Sequence, residues 1–189
     1  MYFKNLVSKK MWTICLLNYG ILNFLPDEKY LRIKYRAKMD RELRLNSPQT
    51  FNEKIQWLKL YDRHPKYTMM VDKYEVRKYI ADTVGEEFLI PLLGVWEDPD
   101  EIDFNALPNQ FVLKCTHNSG LGMCLCEDKS ALDVQAIKRR LRKGLKQNYY
   151  LIGREWPYKD VPRRIIAEEY LQDQLSNEGL ADYKFFCFN

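Results

Sequence analysis

A chain of 189 residues with 46% hydrophobic and 14% aromatic side chains carries enough apolar surface to bury a core, which excludes a disordered tail or linker. Lysine and arginine total 30 against 26 acidic residues, a formal charge of +4. That balance is too even to announce a nucleic-acid-binding protein, although it suits an anionic ligand at a local site. The five cysteines (Cys15, Cys115, Cys124, Cys126 and Cys187) are odd in number and lack the spacing of a disulfide scaffold. Free thiols in a reducing, cytoplasmic setting are therefore expected. Zinc is not expected: Cys124 and Cys126 are read as pointing to opposite faces of a strand, and His64 and His117 are the only histidines.

At the amino terminus, Lys4, Lys9 and Lys10 precede an apolar run over 11–17, interrupted afterwards by Asn18, Gly20 and Asn23. No small-x-small cleavage site follows, and the run is too short and broken to span a membrane. A helix packed on the domain is expected, with weak peripheral contact to a membrane surface as the alternative. Pro26-Asp27 breaks the chain before a basic, tyrosine-bearing helix over 28–39. Asn46-Ser47-Pro48 breaks it again. A boundary near Ser47 would divide a helical amino-terminal extension, 1–47, from the main region, 48–189. Thr50 and Glu53 form a capping-box pair, and the helix they open places Ile55, Trp57 and Leu58 inward. One further helix is predicted over 71–84, beginning near Asp72 and using Val76, Tyr79, Ile80 and Val84 as its apolar stripe. An apolar strand-like piece at 88–96 leads into an acidic loop at 97–103.

The run 111–116 is β-rich, 117–122 interrupts it with small and flexible residues, and 123–126 resumes extended character. Ser130 is expected to cap the next helix with Asp133 as its partner, turning Leu132, Ile137, Leu141 and Leu145 inward. Its outer face carries Lys138, Arg139, Arg140, Arg142, Lys143 and Lys146, read as a solvated face. Strands at 164–171 and 183–188 close the sequence, and there are no internal repeats. Lys114 stands within an otherwise apolar strand, where a charge is costly to bury unless something negative meets it. The loop behind it contains Gly120 and Gly122, which lack a β-carbon and let backbone N–H groups approach phosphate oxygens. Ser119 and His117 add side-chain donors. An ordinary hairpin with Lys114 on its exposed face explains the same residues equally well, because Gly-x-Gly alone is weak and no Walker lysine follows it.

Two features outside that strand pair tip the balance. Asp72-Lys73 precedes it, and the word AEEYL at 167–171 ends a later strand with the carboxylates Glu168 and Glu169. This order resembles the ATP-grasp enzymes. More closely, TFNEKIQWLK at 50–59, VDKYEVR at 71–77, NQFVLKCTH at 109–117, GREWPY at 153–158 and DYKFFCF at 182–188 resemble the TupA-like branch, linked to teichuronopeptide and surface-polysaccharide biosynthesis. The resemblance implies an α+β fold: a helical extension followed by the first part of an ATP-grasp fold, an antiparallel sheet with flanking helices. It implies that Lys73 and Lys114 contact nucleotide phosphates and that residues 117–122 (His117, Ser119, Gly120 and Gly122 among them) form the loop over those phosphates. Relatives tend to have glycine where Asn118 and Leu121 stand. Glu168 and the backbone of Glu169 and Leu171 would hold adenine, with Asp182 and Lys184 near ribose or substrate. ATP and Mg2+ are the implied cofactors, and carboxylate–amine ligation is the implied chemistry. The metal ligands are expected on strands beyond Asn189, so the ATP-grasp fold is expected to be incomplete here. An acidic sugar polymer or an amino acid is the implied substrate class. A non-catalytic accessory protein of polysaccharide assembly is the second reading. Sugar transfer is the poorest fit, since no Asp-x-Asp motif is present.

Overall fold

The structure is a computed structural model and describes residues 9–172 and 183–185. Among them the chain begins with α1 (Lys9–Asn18) and α2 (Asp27–Met39), which pack together. Leu17, Tyr30, Leu31, Tyr35, Ala37, Leu43 and Leu45 make one buried cluster there. Met11 and Trp12, on the other side of α1, are exposed. α3 (Phe51–Tyr61) starts at the predicted capping box: the Thr50 hydroxyl accepts from Glu53 N–H, and the Glu53 carboxylate accepts from Thr50 N–H. Its expected inward face is not buried. Trp57 and Leu58 remain exposed, and Glu53 is the one fully buried side chain of this helix.

The helix predicted over 71–84 starts later, at Val76, and a separate short helix that was not predicted precedes it. α4 (Lys66–Val71) ends before Asp72, and α5 (Val76–Val84) starts four residues later. The cause is local: Asp72 Oδ1 accepts from the Tyr74 N–H at 2.8 Å, a side-chain turn that competes with helical hydrogen bonding. Four strands follow, β1 (Leu92–Trp96), β2 (Phe111–Cys115), β3 (Cys124–Cys126) and β4 (Ile165–Glu169). They form one antiparallel sheet in the order β1-β4-β2-β3. Between β3 and β4 lie α6 (Val134–Lys146) and the short α7 (Tyr150–Gly153). The cap of α6 is Asp133, whose carboxylate accepts from Ala136 N–H at 2.9 Å; Ser130 belongs instead to a separate turn capped by Asp128.

Alternation along β2 and β4 divides the sheet into two faces. Phe111, Leu113 and Cys115 join Ile165 and Ala167 on the face covered by α6, where Ile137 and Leu141 complete the second buried cluster. Each phenylalanine, leucine or isoleucine among them contributes roughly 1.5–3 kcal/mol through burial. Cys124 and Cys126 both face this core, with the exposed Leu125 between them. Residues two apart on a strand share a face, so the expectation of opposite faces was wrong. On the other face stand Val112, Lys114, Ile166 and Glu168. Half of the predicted strand at 183–188, residues 186–188, lies outside the described residues; Tyr183 and Phe185, which are described, are exposed and non-strand. The fold is α+β, an antiparallel sheet with flanking helices, and it is compatible with part of an ATP-grasp fold.

Candidate functional site

The second face of the sheet gathers charge from three parts of the chain. Register places Val112 opposite Glu168 and Lys114 opposite Ile166, so Lys114 and Glu168 are diagonal neighbours on one face. Their charged ends meet at 2.6 Å. Arg77, from the first turn of α5, reaches the other oxygen of the same carboxylate at 2.9 Å and the Ile90 carbonyl at 2.6 Å. Glu168 thus accepts from two cations while its side chain is only 9% exposed. A strand carboxylate in this position is tolerated because both oxygens are paired.

Lys73 approaches from the turn between α4 and α5. Its backbone N–H donates to the Thr116 carbonyl at 3.3 Å. Its ammonium donates to the carbonyls of Cys115 at 3.1 Å, Thr116 at 3.4 Å, and Asn118. It forms no ion pair among the described residues. Burial holds its pKa below the ordinary lysine value, and the nearby Lys114 adds to that effect. Beside it, Asp72 is fully buried; Arg164 Nη1 lies 3.9 Å from Oδ2, too far for a hydrogen bond. Burial raises the Asp72 pKa. It also pushes the Cys115 thiol up to about 11, so this cysteine is no nucleophile.

The loop after β2 leaves the sheet and docks on the last turns of α6. His117 is buried, with Nε2 3.1 Å from the Gln147 carbonyl, while its Nδ1 has no partner. Asn118 is buried too, donating from Nδ2 to the Gly144 carbonyl at 3.1 Å. Gly122 (φ +82°) lies against Gly144 so closely that a β-carbon on either would come within 3.1 Å of the other's Cα. Only the tip is free of this packing: Ser119 and Gly120 are exposed, and a β-carbon on Gly120 would meet nothing within 4 Å.

The structure therefore brings together Lys73, Lys114 and Glu168 and sets the 117–122 loop beside them. Glu169 is exposed, its N–H taken by the Pro91 carbonyl at 3.1 Å. Leu171 is exposed just past β4, and Lys184 is exposed within its short described segment. Asp182 lies outside the described residues. Sequence reasoning missed Arg77 and Arg164, which pair with partners 91 and 89 residues away and carry no local signal. Among the described residues no group of three or more His, Cys, Asp or Glu side chains is placed to hold a metal ion, and no helix is long and apolar enough to cross a membrane.

The antiparallel sheet thus carries a lysine and a glutamate as diagonal neighbours on adjacent strands, with a second lysine and a glycine loop beside them. The family described as TupA-like ATPgrasp matches residues 53–189, and the chain belongs to it. No curated protein and no solved structure gives a significant match to the chain.

Proposed function

We propose that this chain binds ATP across the second face of its sheet, as the nucleotide-holding portion of a carboxylate–amine ligase-type protein serving cell-surface polysaccharide or teichuronopeptide assembly. The observation that carries the reading is Lys73. It is a half-buried ammonium held by three neutral carbonyls, with no carboxylate paired to it among the described residues. A phosphate supplies the missing negative charge at hydrogen-bond range. Lys114 stands on the same face, and its ammonium can turn from Glu168 toward an arriving anion while Arg77 keeps that carboxylate neutralised. Gly120, the unencumbered tip of the loop, allows backbone N–H groups to close on phosphate oxygens.

Within this reading the end of β4 is the adenine hinge. The Glu169 N–H is already engaged by Pro91, which leaves the backbone at Leu171 to meet the base. Bound as its magnesium complex, ATP would supply the phosphoryl group that activates a carboxylate for attack by an amine. Lys73 and Lys114 would orient its phosphates and offset their charge. Dependence on ATP places the protein in the cytoplasm, with an acidic sugar polymer or an amino acid as the accepting substrate.

Calorimetry with Mg-ATP on the wild type, Lys73→Ala and Lys114→Ala tests the proposal. Each substitution is expected to weaken binding about tenfold or more, since each removes a charge-assisted contact worth roughly 1.5–3 kcal/mol. Equal affinity in all three folded proteins, or no binding by the wild type, would sink it.

A further inference from the structure

A second concentration of positive charge lies away from the sheet. α2, α3 and the segment around α7 enclose a cleft of about 320 Å3. Lys34 and Lys38 enter it from α2, one turn apart, and Lys59 enters from α3. Glu155 is the single carboxylate of the lining, so three ammonium groups face one negative charge, an excess of two. That carboxylate is already engaged by Lys59 at 3.1 Å. Lys34 donates only to the Ile152 carbonyl, and Lys38 has no ion pair among the described residues.

Like charges are not brought to one partly desolvated cleft without cost. Lys34 records it: burial, followed by the fields of Lys38 and Lys59, pushes its pKa down to about 8. Tyr35 lies in the core beneath the same cleft, and its buried hydroxyl has no hydrogen-bond partner. Buried hydroxyls are normally paired. Asn52 and Gln56 add amide groups one turn apart on α3, and Tyr149 adds an aromatic ring.

We propose that this cleft is a binding site for a small hydroxylated organic anion, a carboxylate- or phosphate-bearing sugar unit, held by Lys34, Lys38 and Lys59. A volume of about 320 Å3 is at the low end of small-molecule sites and admits one sugar-sized unit rather than a macromolecular surface. The lysines meet the anionic group, and Asn52 and Gln56 meet hydroxyls. The site does not depend on the nucleotide reading: Lys73, Lys114 and Glu168 do not line it. Lys34 and Lys38 also precede residues 53–189, so the family match does not account for them.

The test uses the full chain with inorganic phosphate, glucuronate and glucose as probes. Binding is read by calorimetry and by the NMR titration of the Lys34 side chain. Saturable binding of phosphate or glucuronate is expected, with glucose inert, and the bound anion should move the Lys34 titration upward. The better of the two anions tells phosphate from carboxylate recognition. Lys34→Gln with Lys38→Gln should weaken that anion about tenfold or more at unchanged melting temperature. Lys73→Ala should leave the Lys34 response intact, which separates this site from the nucleotide site. Should the double variant not fold, Lys38→Gln alone, a change at an exposed side chain, carries the test with an expected loss of about threefold. The proposal is overturned by absence of saturable anion binding, by an equal response to glucose, or by unchanged affinity in the folded variant.

Discussion

Glu168 shows how one side chain can couple stability to a site. It neutralises both Lys114 and Arg77, whose own side chains are 27% and 15% exposed. Glu168→Ala leaves two partly buried cations without a counter-charge and is expected to cost about 3 kcal/mol, read as a lower urea midpoint. Lys114→Ala should cost far less, about 1 kcal/mol, because Arg77 still satisfies the carboxylate. A larger loss from the lysine than from the glutamate would contradict that division of roles. His117 offers a pH test. Burial lowers its pKa below the ordinary 6.5, so the unfolded chain takes up the proton more readily than the folded one. Above pH 6.5 this residue carries no penalty; as pH falls through 6.5 toward the folded value, the penalty grows. Urea midpoints measured from about pH 7 to about pH 5 should therefore fall less steeply in His117→Gln than in the wild type.

At the scale of elements, what was legible in the sequence follows a physical rule. The capping box at Thr50 and Glu53 could be read because both partners lie within one turn. Thr50→Ala should lower stability by about 1 kcal/mol in thermal unfolding. The strands at 111–115 and 165–169 were legible from β-rich composition, whereas Lys73, Lys114 and Glu168 were singled out through a family resemblance rather than any local pattern. Where reading failed, competition among local signals was responsible. Asp72 was read as the start of the helix, yet it folds its carboxylate back on Tyr74 and α5 begins only at Val76. Ser130 and Asp133 both suit a helix cap, and only the backbone path decided between them. The docking of the loop on α6 was hidden because Gly144 lies in the last turn of that helix, 22 residues from Gly122, with nothing nearby to mark it. Gly144→Ala tests that contact. Its β-carbon would come within 2.8 Å of both Gly122 Cα and Cys115 Sγ. The gain in helix propensity, about 1 kcal/mol, should be outweighed by overpacking of about 2 kcal/mol. Faster hydrogen exchange in residues 117–122 should accompany the loss.

For the molecule as a whole, Arg154 is one tie between the amino-terminal helices and the rest, beside Tyr150 and Arg63 on Asp27. It is buried, lies over the Tyr30 ring at 4.3 Å, donates to the carbonyls of Asn23 and Leu25, and stands 3.6 Å from Asp27. Residues 1–47 are proposed to be a distinct helical extension, and Arg154 is where that idea can be tested. Arg154→Ala should cost about 3 kcal/mol by leaving the Asn23 and Leu25 carbonyls without their donor. Exchange protection should be lost first in α1 and α2 while β2 and β4 keep theirs. Simultaneous loss across both groups would mean one cooperative unit with no separable extension.

The three carbonyls that hold the Lys73 ammonium also set an entry condition for whatever anion arrives. A ligand must outcompete interactions already in place, so a weakly charged or poorly placed anion gains little by displacing them. A polyanion that meets Lys73 and Lys114 together gains from both contacts at once. Within the proposed nucleotide reading, the same geometry that keeps a desolvated lysine stable without ligand would work as a threshold, filtering incoming ions by charge and span rather than by shape.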